Sequence, residues 1–157
     1  MIKDANWKMN PPLREESDRL ETIKALLDGT ACMIASDHAP HSADEKAKAI
    51  TDAPSGIIGL ETSLSLGITS LVKPGHLSLV DLIKKMSLNP AVIYGLDKGT
   101  LNVGKDADMV IFDMDQCWTP ETYYSKAVNT PFTGMELTGL VYMTICGGEI
   151  AFKNSLS

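Results

Sequence analysis

The chain contains few cysteine, histidine and aromatic residues. Aromatic residues make up 6% of its 157 residues, and there are three histidines and three cysteines. The cysteines are an odd number and show no C-x-x-C spacing: Cys32, Cys117 and Cys146. This argues against both a disulfide framework and a zinc knuckle. We therefore interpret them as buried or incidental thiols.

The sequence also lacks a long apolar run and an excess of basic residues. No apolar run approaches the roughly 18 residues that a membrane-crossing helix requires, and the N-terminus has no apolar secretory core. The 20 acidic and 14 basic residues give a formal net charge of −6, which does not favour binding to a phosphate backbone. We expect a cytoplasmic protein with no nucleic-acid partner and no membrane partner.

The composition that is present is that of a globular protein. Hydrophobic residues make up 44% of the chain and charged residues 22%. Residues 15–28 show helical apolar spacing, and the apolar run at residues 31–35 is typical of a strand buried on both faces of a parallel sheet. Residues 38–56 form a long polar loop, and long loops are often functional. Helical patterns follow over residues 60–72 and 78–86, with a further short helix that opens at Pro90.

The last third of the chain is predicted to form strands rather than helices. Residues 107–112 and 137–145 are predicted strands, and Gly147-Gly148 is typical of a hairpin turn that leads into residues 149–153. A buried parallel strand needs neighbours on both sides, and the sequence offers none for residues 31–35. The pattern therefore predicts that this chain is the end of a larger protein.

The densest group of chemically capable residues is S-D-H-A-P-H at residues 36–41. It follows the predicted strand directly, at the end that faces the ligand site in parallel α/β proteins. The Asp37 carboxylate there is able to bind a divalent metal or accept a proton, and His38 and His41 are able to reach the same ligand. In the alternative interpretation, Asp37 caps a turn and both histidines are surface residues. The residue types leave both interpretations open.

Two further polar segments are candidates for a binding site. K-M-N-P-P-L-R at residues 8–14 holds Asn10 on a stiff loop, although a simple lead-in to the helix is the better explanation from these residues alone. A-P-S-G at residues 53–56 places Ser55 beside Gly56, which allows backbone to approach a ligand closely. A glycine in an ordinary turn is the simpler explanation.

These three motifs, in this order, resemble the C-terminal third of a dihydroorotase. N-T-P-F at residues 129–132 is similar to a later segment of that family, and residues 99–113 resemble the amidohydrolase superfamily generally. The resemblance implies an α/β fold: a C-terminal fragment of a metal-dependent amidohydrolase TIM barrel plus part of a small β-rich composite domain. It places the end of the barrel at residues 1–97 and the composite-domain segment at residues 98–157.

The resemblance also implies an activity. Dihydroorotases interconvert N-carbamoyl-L-aspartate and L-dihydroorotate in pyrimidine biosynthesis with one or two zinc ions. By position in the motifs, Asp37 is the metal-binding residue that shuttles the proton, and Asn10 and His41 hold the substrate. The backbone groups of Ser55 and Gly56 bind the ring. For His38 we prefer a structural role.

The chain departs from the family pattern because the other metal ligands of a complete dihydroorotase are missing. None of its three histidines forms an H-x-H pair. We therefore expect a fragment of a longer enzyme that is inactive and binds no zinc alone. The family implies a small-molecule substrate, and a homodimer or an aspartate carbamoyltransferase partner for the complete protein.

Two other functions fit parts of the pattern. A non-catalytic dihydroorotase-like scaffold for aspartate carbamoyltransferase is expected to have lost its site residues, whereas Asp37, His41 and Asn10 are all present. A hydantoinase or allantoinase shares the metal chemistry but is expected to differ around His41.

Overall fold

The structure, a computed structural model, describes residues 4–154. The helices are α1 (Glu16–Asp28), α2 (Ala43–Lys46), α3 (Ser63–Gly67), α4 (Leu79–Ile83) and α5 (Asn89–Ile93). The strands are β1 (Met109–Trp118), β2 (Leu137–Cys146) and β3 (Glu149–Lys153). A short 3₁₀ helix spans Ala5–Trp7, and π-helical turns at Ile68–Val72 and Lys84–Leu88 extend α3 and α4.

The predicted first helix is confirmed as α1. Its N-terminus is closed by a capping box in which the Glu15 and Asp18 side chains each accept a backbone N–H of the first turn. Such a box satisfies donors that have no partner within the helix. Gly29 ends the helix with a φ of 86°, which glycine adopts without steric cost. Ile23 and Leu26 are the residues of α1 that become buried.

The strand predicted at residues 31–35 is wrong. The Ile34 N–H donates to the carbonyl oxygen of Lys85 at 2.9 Å. The Lys85 Nζ and the Asn89 Nδ2 donate to the carbonyl oxygens of Ala31 and Cys32, at 3.1 and 2.7 Å. Throughout residues 4–154 the strand pairings are antiparallel and confined to β1, β2 and β3. Because no described strand lies beside residues 31–35, the π-helical turn after α4 and the start of α5 bond to the backbone of Ala31, Cys32 and Ile34 instead.

Helices α3 and α4 pack through a glycine. A Cβ built on Gly67 would lie 2.9 Å from Cδ1 of Leu82, so a larger residue would push the two helices apart. Leu82 and Ile68 have no exposed surface. Both side chains belong to the apolar core.

The C-terminal sheet is close to the prediction. The strand order is β1-β2-β3 with antiparallel pairing throughout, and Gly147-Gly148 forms the turn between β2 and β3. Strand β1 starts two residues later than expected and continues to Trp118, with a register shift between Ile111 and Phe112. A bulge of this kind bends the strand and increases its twist.

The helices and the sheet share one core. A Cβ built on Gly139 of β2 would lie 2.5 Å from Cδ1 of Ile68. Leu137, which is also on β2, is 1% exposed. The sheet thus lies directly against the turn that extends α3.

The surface includes several features that the composition did not predict. All three cysteines are free and exposed, so of the two alternatives, buried or incidental thiols, the buried one is wrong. Large apolar side chains such as Val92, Tyr94, Leu101 and Val103 are also exposed. Among the helices within residues 4–154, none is long and apolar enough to cross a membrane.

Candidate functional site

The loop that carries Asp37 and His41 lies against the loop that carries Ser55 and Gly56. The Ala39 N–H donates to the carbonyl oxygen of Ile57 at 2.8 Å. This bond joins two segments that the sequence analysis had considered separately. The predicted long loop is therefore folded back on itself, and the short helix α2 lies within it.

Asp37 stands at the exposed edge of this pair of loops. Its φ is 43°, in the left-handed region that aspartate tolerates better than most residues with a side chain. The residue is exposed, and no other described residue hydrogen-bonds to its carboxylate. The carboxylate is therefore available to a ligand.

His38 anchors the backbone beside Asp37. Its Nδ1 accepts the N–H groups of Gly59 and Leu60, at 3.1 and 3.4 Å. Because a ring nitrogen that accepts hydrogen bonds carries a lone pair, a neutral His38 has its proton on Nε2. These contacts agree with the structural role expected for this histidine.

His41 is held by Ser55. The His41 Nε2 lies 3.0 Å from the carbonyl oxygen of Ser55. A carbonyl oxygen only accepts hydrogen bonds, so this geometry assigns the donor role, and hence a proton, to Nε2. The bond fixes the orientation of the imidazole and leaves Nδ1 as its other polar atom.

Gly56 permits the close approach of the two loops. It has a φ of 116°, and a Cβ at this position would lie 2.6 Å from the Cβ of Ala39 and 3.4 Å from the His41 Nε2. Its N–H donates to the Lys8 carbonyl oxygen at 2.9 Å. Both the backbone conformation and the lack of space therefore require glycine here.

Two lysines hold the Ser55 loop by its carbonyl oxygens, a role that the sequence analysis assigned to neither. The Lys46 Nζ donates to the carbonyl oxygens of Pro54 and Gly56, at 3.0 and 2.9 Å. Burial lowers the pKa of the Lys46 ammonium. The Lys8 Nζ donates to the Ala53 carbonyl oxygen at 2.6 Å. Lys8 belongs to the K-M-N-P-P-L-R motif, but no local pattern shows this role for either lysine, because the acceptors are main-chain atoms of a loop.

Asn129 is a third group that the sequence analysis did not place in the site. Its Oδ1 accepts the His41 N–H at 3.0 Å, and its Nδ2 donates to the carbonyl oxygens of Ala39 and Gly56, at 3.0 and 3.2 Å. The residue is 4% exposed. Its presence in the N-T-P-F motif was a signal, but the motif did not show what the side chain contacts.

Asn10 makes fewer contacts with the rest of the candidate site. It is exposed, the Asn10–Pro11 peptide bond is cis, and its side chain hydrogen-bonds to no other residue of the described part of the chain. The structure thus brings His41, Ser55 and Gly56 into direct contact and leaves Asn10 and Asp37 at the surface.

The residues present do not complete a metal site. Within residues 4–154, no group of three or more histidine, cysteine, aspartate or glutamate side chains is arranged to hold a metal ion. A stable zinc site needs three or four protein ligands, and Asp37 supplies one carboxylate.

Comparison with known proteins connects this geometry to a family. The sequence profile described as "Amidohydrolase family" matches residues 8–151. The chain is 56% identical over 148 residues to a dihydroorotase of Clostridioides difficile, covering 94% of this chain and 35% of the relative. It is also 56% identical over 155 residues to a dihydroorotase of Streptococcus thermophilus, covering 98% and 37%.

A solved structure agrees with the profile. The dihydropyrimidinase of Brevibacillus agri NCHU1002 superposes with a TM-score of 0.87 at 29% identity, over 96% of this chain and 34% of that one. The chain also spans only about a third of the length of the two dihydroorotases.

Proposed function

Because the chain belongs to the amidohydrolase family, we propose that it is part of a dihydroorotase. The reaction is the reversible hydrolysis of the cyclic amide of L-dihydroorotate to N-carbamoyl-L-aspartate. The observation that carries this proposal is the 56% identity to two dihydroorotases over nearly the whole chain. The identity to the solved dihydropyrimidinase is 29%, although the fold is shared.

In this proposal, residues 1–97 form the C-terminal portion of the TIM-barrel catalytic domain, and residues 98–157 belong to the β-rich composite domain. The placement of every described strand after Lys98 supports this division. The polar segment 36–41 then lies at the mouth of the barrel, where amidohydrolase substrates are expected to bind.

Asp37 is the proposed proton carrier. Hydrolysis adds water to the amide carbonyl carbon and breaks its bond to the ring nitrogen, so one proton must leave the water and one must reach the nitrogen. A carboxylate that is exposed and unpaired within the described residues is suited to carry that proton. The His38 anchor keeps its backbone in place during the transfer.

Substrate binding is proposed for Asn10, His41, Ser55 and Gly56. Gly56 has both backbone groups engaged, its N–H with Lys8 and its carbonyl oxygen with Lys46 and Asn129. Its contribution is therefore the close approach that it allows. The His41 ring, with Nε2 fixed by Ser55, presents Nδ1 to the substrate. In the neutral ring Nδ1 accepts a ring N–H of the substrate, and in the imidazolium it donates to the substrate carboxylate.

The family implies zinc, one or two ions in a complete enzyme. Zinc supplies a polarised carbonyl and a more acidic bound water. Asp37 is the only proposed ligand that this chain contributes, and the described residues do not form a site around it. We propose that the other ligands come from sequence that this chain does not contain.

The partners of the complete protein are also proposals. A homodimer, or a complex with aspartate carbamoyltransferase, would cover part of the exposed apolar surface. The exposed side chains of Leu101 and Val103 support a partner interface on this surface.

The proposed activity is tested in a chimera in which this chain replaces the matching segment of the Clostridioides difficile dihydroorotase. Turnover is measured with N-carbamoyl-L-aspartate, L-dihydroorotate, hydantoin and allantoin. We expect kcat/KM for L-dihydroorotate to exceed that for hydantoin and allantoin by about 100-fold or more. The unmodified relative is the positive control, and the relative without this segment is the negative control.

Two outcomes would overturn the proposal. Faster turnover of hydantoin or allantoin would assign the chain to a different cyclic amidohydrolase. No turnover of any substrate would favour the non-catalytic scaffold, since the segment would then lack a working site.

A further inference from the structure

We propose that Asn129 is a positioning residue whose carboxamide holds the Asp37–His41 loop against the Ser55–Gly56 loop in the geometry that binds substrate. The choice of L-dihydroorotate as the substrate rests on the proposed function. The contacts between the two loops do not depend on it. Asn129 lies before β2, outside both loops that it joins.

The Asn129 side chain bonds three main-chain groups at once. It accepts one N–H, from His41, and it donates to two carbonyl oxygens, those of Ala39 and Gly56. The His41 and Ala39 bonds span 88 and 90 residues of sequence. One carboxamide therefore bridges both loops, and because the three groups are one N–H and two carbonyl oxygens, binding all of them requires a side chain with both a donor and an acceptor.

Asn129 is itself fixed by its surroundings. Its carbonyl oxygen accepts the Ile58 N–H at 3.1 Å. Three residues further on, the ring of Phe132 packs edge to face on Trp7, with ring centroids 6.1 Å apart. The neighbouring Thr130 is also 4% exposed. The carboxamide is thus presented from a packed loop rather than from a free surface segment.

Loss of the carboxamide would not affect all site residues equally. The Gly56 carbonyl oxygen retains its bond from Lys46, whereas the His41 N–H and the Ala39 carbonyl oxygen lose the hydrogen-bond partner that Asn129 supplies. Asp37 is held by a separate route, through the bonds of His38 to the loop at Gly59. Substrate binding should therefore weaken more than the chemical step.

The matched variants are Asn129→Ala and Thr130→Val. Thr130 is buried to the same degree and is the next residue in the chain, but its hydroxyl bonds locally, to the Phe132 N–H at 3.3 Å. Thr130→Val therefore controls for a general loss of packing in this loop. Asn129→Leu, which keeps the size of the side chain, serves if the alanine variant leaves a cavity that lowers stability too far.

The first measurement is amide hydrogen exchange, in the 157-residue chain and in the chimera. We expect peptides covering residues 38–42 and 54–59 to exchange about 10-fold faster or more in Asn129→Ala, with α1 unchanged. Thr130→Val should leave both peptides close to the parent rates. Unchanged exchange in both Asn129 variants would overturn the inference, and so would equal acceleration in Thr130→Val.

The second measurement is steady-state kinetics of the chimera with L-dihydroorotate. Asn129→Ala should raise KM about 10-fold or more while kcat changes by less than about threefold, because the lost contacts position substrate-binding groups. A fall in kcat with unchanged KM would contradict the positioning role. If the unmodified chimera does not hydrolyse L-dihydroorotate, the proposed function fails, and hydrogen exchange alone decides whether Asn129 positions the loops.

Discussion

The Oγ of Ser65 donates a hydrogen bond of 2.6 Å to the carbonyl oxygen of Gly139, 74 residues later in the chain, and the bond is buried. The same Oγ accepts the indole N–H of Trp118 at 3.0 Å. One hydroxyl on α3 therefore binds to both β1 and β2. This buried hydroxyl joins the helical part to the sheet, as does the Thr69 Oγ1 on the turn after α3, which accepts the Thr138 N–H of β2 at 2.8 Å.

Ser65→Ala should destabilise the chain. The change leaves the Trp118 indole N–H and the Gly139 carbonyl oxygen without their partner in a buried interface, and such a loss costs about 1–3 kcal/mol. Urea denaturation followed by tryptophan fluorescence measures it. Ser70→Ala is the control because Ser70 is exposed on the turn that extends α3. Equal stability of the two variants would contradict the prediction.

Gly139→Ala should lower the stability of the chain by more than the addition of one methyl group suggests. The residue has a φ of 102°, and a Cβ would lie 2.5 Å from Cδ1 of Ile68. Backbone strain and overpacking together should lower the free energy of unfolding by roughly 2–4 kcal/mol.

The matched control for this prediction is Gly134→Ala. Gly134 also has a positive φ, of 78°, but no atom lies within 4 Å of its added Cβ. It should therefore show the backbone cost alone, about 1–2 kcal/mol. Ile68→Val removes the clashing Cδ1 and should recover part of the loss in Gly139→Ala. If both glycine variants lose the same stability, the Ile68 contact is unimportant.

Asp37→Asn should abolish most turnover in the chimera. Asparagine tolerates the same left-handed backbone but does not carry the proton, so kcat should fall by about 100-fold or more. Asp44→Asn, at a nearby exposed acid on α2, is expected to leave kcat unchanged. The unfolding midpoint should be the same for both variants. An undiminished rate in Asp37→Asn would remove Asp37 from the mechanism.

Asp108 should make the stability depend on pH in the acid range. The Lys98 ammonium donates to its carboxylate at 2.6 Å and the Gly147 N–H at 2.7 Å, and both bonds hold the pKa of Asp108 below its usual value. A carboxyl whose pKa is lower in the folded state stabilises that state above its unfolded value, near pH 4. This contribution is lost as the pH falls through the folded value.

Thermal unfolding between about pH 7 and pH 2 tests this dependence. Asp108→Asn should show a smaller fall in Tm below about pH 4 than the parent chain. Asp52→Asn is the control, since the Asp52 carboxylate hydrogen-bonds to no residue within the described part of the chain. An identical acid profile for Asp108→Asn and the parent would show that the Lys98 and Gly147 bonds do not contribute to stability.

The sequence alone determined the features that depend on neighbouring residues. Helix α1 forms because its capping box and the final glycine lie within one short segment, and the β2–β3 hairpin forms around Gly147-Gly148. The three site motifs were recognised for the same reason, as each is a run of adjacent residues. The dihydroorotase resemblance followed from their order.

Only the tertiary structure decided the contacts between segments that are distant in the chain. Residues 31–35 have the composition of a buried strand, yet their backbone groups bond to Lys85 and Asn89 because no strand lies beside them in the described chain. Asn129 and Lys46 reach the site through main-chain carbonyl oxygens, which every residue possesses. A local pattern does not show which carbonyl a side chain will meet, since that depends on how the loops pack in three dimensions.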